Sequence, residues 1–223
     1  MTPVNRYRDR REAGEALAKQ LAAELDQPNA VLLALPRGGV PVAAEISRLL
    51  GLPLDIFVVR KLGLPGQPEL AMGALASGGV QLLDESLIAT EGLRSAVVDE
   101  VSAREAIELA RREQAYRGER PPLPLAGRRL ILVDDGVATG YTMRVAVLAL
   151  QQLHPASLTI AIPVGAAPTC ALLRGLVDRL VCPLQPDPFH AVGLWYDHFP
   201  PVTDDEVREA LQDSAPQPSP RSS

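Results

Sequence analysis

Leu130-Ile131-Leu132-Val133-Asp134-Asp135-Gly136-Val137-Ala138-Thr139-Gly140-Tyr141-Thr142 is the stretch on which the fold turns. An uninterrupted apolar run delivers two adjacent carboxylates, then a turn of small residues, then the start of a helical pattern. Such a run reads as a strand buried on both faces, the kind found in parallel sheets. Successive strand residues point to opposite sides, so one carboxylate can face a ligand while its neighbour secures the site. Backbone N–H groups from Ala138 to Thr142, with the positive end of the helix behind them, make an anion cradle to which Thr139 and Thr142 add hydroxyls. An acid pair suited to a diol, beside a phosphate cradle, fits a phosphorylated sugar.

The pattern repeats outward from this unit. Residues 10–26 carry apolar side chains at helical spacing. Ala30–Leu35 is a second continuous apolar run, ending in Pro36-Arg37-Gly38-Gly39, and a helix over Val40–Leu50 follows, stopped by Gly51. Leu54–Val59 reads as the next strand. Glycines and prolines loosen the pattern from Arg60 to Gly79, where Met72–Ser77 and Val80–Leu83 can pair as a hairpin across Gly78-Gly79. A long exposed helix is predicted over 95–117, broken by Pro121, Pro122 and Pro124. After Arg129–Val133 come a helix over 141–153, a strand at Leu158–Ile162, a helix over 167–175, a strand at Asp178–Cys182 and a helix over 203–212. Thr203 and Glu206 have capping-box spacing for that last helix. Strands alternating with helices predict the α/β class: a doubly wound parallel sheet of about five strands, with ligands at the carboxyl ends of the strands. We expect one domain over residues 1–213, with its core over 30–183, and a disordered Ser/Pro/Gln-rich tail over 214–223.

At 223 residues, 47% hydrophobic and 22% charged, the chain suits one generous α/β domain and excludes wholesale disorder. A net charge of −5 argues against a dedicated nucleic-acid binder. The Arg-rich start lacks the apolar core of a secretory signal, and no apolar stretch reaches the roughly 20 residues needed to span a bilayer. A soluble, cytoplasmic protein with no membrane partner is expected. Cys170 and Cys182 match no C-x-x-C spacing and read as buried thiols. Mononucleotide P-loop, dinucleotide fingerprint and hydrolase-elbow motifs are absent from the sequence.

The stretch Leu130–Thr142 resembles the phosphoribosyl-pyrophosphate motif of type I phosphoribosyltransferases. That resemblance implies that Asp134 and Asp135 take the ribose hydroxyls and that Ala138, Thr139, Gly140, Tyr141 and Thr142 wrap the 5′-phosphate. Gly136 stands where the family is usually aliphatic, which implies a more flexible turn. Pro36-Arg37-Gly38-Gly39 occupies the place of the family's pyrophosphate loop. Gly38 and Gly39 let backbone approach the anion, Arg37 supplies a bidentate fork, and Pro36–Arg37 is the candidate for a cis peptide. Val59–Gly66 is similar to the Arg-Lys segment of adenine-type members, with Lys61 at a strand terminus near the pyrophosphate. The Gly/Pro stretch that follows is then a mobile cover. The resemblance spans about residues 30–165, and in the family the segments outside it build a hood that selects the acceptor, here from the N- and C-terminal segments.

The activity so implied is transfer of the phosphoribosyl group from phosphoribosyl pyrophosphate to a small nitrogenous acceptor in nucleotide salvage, releasing pyrophosphate. Asp134, Asp135, Arg37 and Lys61 are the expected catalytic residues, with Mg²⁺ held mainly by the substrate rather than by protein ligands. Enzymes of this family that act on 6-oxopurines commonly carry an aspartate where this chain has Ala138, which disfavours hypoxanthine and guanine. Glu69 in the cover is a candidate general base, or an exposed loop glutamate. Phe189, Trp195, Tyr196 and Phe199 either stack on a base or pack the last helix against the sheet. His190 and His198 read as packing or surface residues, with no metal triad in view. A homodimer is the assembly to test for. The competing reading is a non-catalytic regulatory protein that senses phosphoribosyl pyrophosphate on the same fold; retention of Arg37 and Lys61 beside the acid pair favours catalysis.

Overall fold

A computed structural model describes residues 6–22 and 29–214, so the readings made for 23–26 and for the tail beyond 214 lie outside the described residues. In chain order the elements are α1 (Arg10–Ala22), β1 (Ala30–Ala34), α2 (Gly39–Leu50), β2 (Leu54–Ile56), β3 (Val59–Leu64), β4 (Gln67–Ala76), β5 (Val80–Leu83), α3 (Glu85–Thr90), α4 (Ser95–Arg117), β6 (Arg129–Val133), α5 (Tyr141–Gln151), β7 (Ser157–Ala161), α6 (Ala167–Arg174), β8 (Arg179–Val181), a 3-10 turn (Val192–Trp195) and α7 (Asp204–Asp213).

The aliphatic runs form one five-stranded parallel sheet in the order β2-β1-β6-β7-β8. Alternate side chains serve opposite faces. Leu32, Leu54 and Ile56 pack with α1, α2, α4 and α7, whereas Val31, Leu33, Leu130 and Leu132 pack with α5 and α6. Both faces are covered, which is why the strands read as unbroken apolar runs, and each fully buried Leu or Ile contributes about 1.5–3 kcal/mol. β1 and β6 run in step, Ala34 opposite Val133, and Leu35 N–H continues the ladder onto Val133 O at 2.9 Å. The loops that follow these two strands are therefore neighbours.

The strand expected over Leu54–Val59 is divided. β2 ends at Ile56, and Val59 opens β3 in a separate antiparallel sheet, β3-β4-β5. The backbone changes partner at the break: Phe57 N–H donates to Ala34 O at 2.9 Å, whereas Val58 N–H donates to Ser77 Oγ at 2.8 Å and its carbonyl accepts from Ser77 N–H at 2.9 Å. The Gly/Pro stretch read as a cover is built as this second sheet, and the hairpin turns at Gly78-Gly79 as expected. Helix α3, not anticipated from the sequence, starts at Asp84, whose carboxylate accepts from Leu87 N–H at 2.9 Å.

α4 ties the two sheets together. Arg60 of β3 donates to Glu105 at 2.5 Å. At the other end of the helix, Arg117 donates to Asp55 at 2.7 Å, to Glu113 at 2.9 Å and to Ile56 O at 2.9 Å. The capping box forms as the spacing predicts, with Thr203 N–H donating to Glu206 at 2.7 Å and Glu206 N–H to Thr203 Oγ1 at 3.2 Å. Among the described residues, no helix is long and apolar enough to cross a membrane.

The segment before α1 pairs with the segment before α7. Tyr7 N–H donates to Trp195 O at 3.0 Å and Asp197 N–H to Tyr7 O at 2.9 Å. Around them Tyr7, Ala13, Val164 and Tyr196 form a separate apolar cluster, joined by Phe189, Val192, Trp195 and Phe199. The aromatic group therefore packs on α1 and on the loop after β7, not between the last helix and the sheet.

Candidate active site

The acid pair leaves the end of β6 with Asp134 and Asp135 adjacent, and Asp135 N–H donates to Asp134 Oδ1 at 2.9 Å. The loop after β1 lies against it. A Cβ on Gly38 would meet Asp135 Oδ2 at 2.1 Å, so only glycine lets the two loops approach this closely. The Pro36–Arg37 bond is cis, as the resemblance implies. The structure thus brings Gly38, Gly39, Asp134 and Asp135 into one place.

Asp135 is held by residues from both terminal segments. Arg10 Nε donates to Asp135 Oδ2 at 2.9 Å, its Nη1 donates to Pro200 O at 2.8 Å, and its guanidinium lies 3.8 Å from the centre of the Phe199 ring. Tyr196 OH donates to the Asp135 carbonyl at 2.5 Å. Burial pushes the carboxyl of Asp134 well above its usual range, and the neighbouring Asp135 adds to this. Burial also raises Asp135, against the opposing charge and hydrogen bond of Arg10. The two carboxylates are therefore unlike: one is bridged to a cation, the other disposed to keep its proton.

The start of α5 follows the acid pair. Gly140 caps α5 in a left-handed conformation (φ 74°), and no side chain caps the helix start. A Cβ there would also meet Thr169 Cγ2 at 2.5 Å, so glycine is required twice over. Ala138, Thr139, Tyr141 and Thr142 are exposed around this helix end. Thr169 of α6 braces the turn, donating to Ala138 O at 2.6 Å. Backbone N–H groups at an exposed helix start without a side-chain cap, beside hydroxyls, are suited to a phosphate. Gly136 does not loosen this turn: a Cβ would meet Val192 Cγ1 at 2.6 Å and Val164 Cγ1 at 3.0 Å, so glycine there lets these two side chains pack down on the loop.

Two expected residues stand apart from the pair. The Arg37 side chain turns outward to Asp204 of α7, with Nη1 3.5 Å from Oδ1. Lys61 lies within β3 rather than at a strand end, and its ammonium is 3.4 Å from Glu69 across the hairpin. Glu69 itself is 98% exposed, but it lies in strand β4 rather than in a loop. Among the described residues, no group of three or more His, Cys, Asp or Glu is placed to hold a metal ion, and His154, His190 and His198 are exposed. Cys170 and Cys182 are buried thiols with their sulfurs 3.7 Å apart.

Sequence reasoning passed over Arg10. A signal was present: buried residues of α1 fall at Arg10, Ala13, Gly14, Leu17, Ala18 and Leu21, so the arginine lies on the apolar stripe of its helix. An arginine in that register needs a buried partner, and Asp135 is that partner.

The family model for the phosphoribosyl transferase domain matches residues 4–184. Two Mycobacterium tuberculosis proteins, MT0597 and Rv0571c, provisionally named phosphoribosyl transferases, are each 42% identical over 201 residues, covering 90% of this chain. The chain spans 45% of the length of these relatives. The crystal structure of TT1426 from Thermus thermophilus superposes with a TM-score of 0.82 at 40% identity, covering 95% of this chain and all of the other. With the acid pair, the glycine loop and the open helix start in one place, and with this match over most of the chain, the protein belongs to the phosphoribosyl transferase domain family.

Proposed function

We propose that the chain transfers the phosphoribosyl group of phosphoribosyl pyrophosphate to a small nitrogenous acceptor other than a 6-oxopurine, releasing pyrophosphate. The observation that carries this reading is the close approach of Gly38 to Asp135, which sets the glycine loop beside the acid pair at the carboxyl ends of the neighbouring strands β1 and β6. Ala138, Thr139, Gly140, Tyr141 and Thr142 receive the 5′-phosphate, and Asp134 and Asp135 accept the ribose hydroxyls. The acceptor nitrogen forms its bond to C1 as the C1–O bond to the diphosphate breaks, with inversion. Arg37 and Lys61 oppose the negative charge that grows on the leaving group.

The residues present fit Mg²⁺. The acid pair offers hard oxygens, and Mg²⁺ keeps few protein ligands, so the ion would be held mainly by the donor's own diol and diphosphate. When bound, it supplies neutralisation of diphosphate charge. Lys61 rides on the β3–β4 hairpin, so its contribution comes with movement of that hairpin over the donor. Ala138 cannot receive a proton from a purine ring, which disfavours hypoxanthine and guanine unless another carboxylate takes that role. A cytoplasmic homodimer acting in nucleotide salvage completes the reading.

A donor sensor without turnover is the second reading. It is supported by the engagement of Asp135 and Arg37 with Arg10 and Asp204, two ion pairs between the terminal segments and the loops that donor binding would exchange. A panel of nucleobases incubated with phosphoribosyl pyrophosphate and Mg²⁺, scored for pyrophosphate, separates the two. Release with adenine-like or non-purine acceptors supports transfer. Tight donor binding with no release for any acceptor supports the sensor. Failure of the donor to bind overturns both.

A further inference from the structure

Two thiols lie behind the turn that joins β6 to α5. Cys170 stands in the first turn of α6 and Cys182 directly after β8, and their sulfurs are 3.7 Å apart. They are the chain's two cysteines. The hydrogen bond between them lowers the Cys170 thiol, with help from the Arg174 guanidinium, and together with burial it raises the Cys182 thiol. Cys170 is therefore the first to give up its proton, and the thiolate is the reactive form. Cys170 is enclosed and Cys182 is 8% exposed, which leaves access to a small oxidant. A sulfur–sulfur bond needs a further approach of less than about 2 Å.

The residue before Cys170 is the one that braces the turn. Thr169 Oγ1 donates to Ala138 O at 2.6 Å, and its Cγ2 fills the place a side chain on Gly140 would need. The surroundings of Cys182 are the firmer side of the pair: Ile162 N–H donates to Val181 O at 3.0 Å, Leu184 N–H to Pro163 O at 3.2 Å and Gly165 N–H to Leu184 O at 3.0 Å. α6, of eight residues, buries only Cys170 and Leu173, so a pull between the sulfurs moves α6. The order β6-β7-β8 puts Cys182 two strands away from the acid pair, and the pull therefore carries Thr169 away from β6. We propose that peroxide closes a reversible disulfide between Cys170 and Cys182, and that its closure draws Thr169 off Ala138 and loosens the start of α5. The Cys170 thiolate attacks one peroxide oxygen and expels hydroxide, which leaves as water, giving a sulfenic acid. The Cys182 sulfur then attacks that sulfur, the S–O bond breaks and a second water departs with the remaining proton. Two thiols lose two electrons and one peroxide becomes two waters. A dithiol reverses the bond by exchange, so in a reducing compartment it is transient. The consequence for ligand binding rests on the donor reading above; the disulfide does not.

The test treats the full chain with hydrogen peroxide. The intact mass is expected to fall by about 2 Da with loss of both titratable thiols, and dithiothreitol should restore them. Exchange of the Val137, Ala166 and Arg144 amides, which donate to Val164 O, Val137 O and Gly140 O, is expected to quicken about fivefold or more in the oxidised chain. Ribose 5-phosphate affinity by calorimetry should fall about 10-fold. In Cys182→Ser and in Cys170→Ala no such bond can close, and peroxide should leave the exchange of these amides unchanged. Two free thiols after excess peroxide, or a gain of about 16 or 32 Da in place of the loss, overturns the disulfide. A disulfide that leaves the three amides unchanged, or equal quickening in either variant, overturns its link to the turn. If the reduced chain does not bind ribose 5-phosphate, the donor reading fails, while mass and amide exchange still decide the disulfide and its effect.

Discussion

Arg10 Nε stands 2.9 Å from Asp135 Oδ2, with both side chains almost enclosed (10% and 13% exposed). The contact joins the first helix to the end of a central strand 125 residues away and places a fixed cation on one member of the acid pair. Arg10→Ala leaves that carboxylate buried without its partner and is expected to destabilise the chain by about 3 kcal/mol. In a double-mutant cycle with Asp135→Ala, urea denaturation should give a coupling of about 1–3 kcal/mol. Additive losses would mean that the pair contributes no interaction of its own.

Asp134 carries a different signature. Its raised value means that the folded chain holds the proton more tightly than the unfolded chain, whose carboxyl titrates near the ordinary 3.8. Stability should therefore fall as pH rises from that value through the folded one, each pH unit of the window being worth about 1.4 kcal/mol. Asp134→Asn, neutral throughout and still able to accept from Asp135 N–H, should match the wild type near pH 4 and melt higher near pH 7 to 8. Parallel melting curves across that range would refute the assignment.

Arg117 and Asp55 anchor α4 to β2 from within the protein (9% and 5% exposed). Asp55 also accepts from Leu123 N–H at 3.0 Å, so its two oxygens hold the helix end and the proline-rich return together. Asp55→Ala is expected to cost about 3–5 kcal/mol, because the guanidinium is then buried beside an empty position. Chemical denaturation measures it, and a loss under about 1 kcal/mol would show that the network relaxes.

Lys61 is expected to act only after the hairpin closes. Lys61→Ala should leave stability nearly unchanged, since its partner Glu69 is almost wholly in solvent. Donor affinity by calorimetry should stay within about twofold while turnover falls about 10- to 100-fold, the division expected of a contact made in the transition state alone. Loss of donor affinity with turnover intact would place the lysine in ground-state binding instead.

The elements that could be read from the sequence are those whose cause is local. The runs Ala30–Ala34 and, within β6, residues 130–133 are apolar because both faces of the sheet are covered, and a few residues suffice to reveal it. Thr203 and Glu206 satisfy each other across one helical turn, and Gly78-Gly79 turns its own hairpin. The acid pair and its cradle are contiguous, so their chemistry was visible as a motif. The break after Ile56 was not, because it depends on Ser77, a residue brought in from another strand to take over the backbone of Val58.

Sequence alone determined the class of the fold, the acid-pair motif and the place of the motif at a strand end, since periodicity and a short run of adjacent residues carry that information. Tertiary structure alone decided that Asp135 is bridged to Arg10, that Arg37 turns away toward Asp204, and that Arg111 and Arg112 meet it. Charge pairing and burial depend on which side chains arrive from distant segments, and composition or spacing along a single element does not encode that meeting.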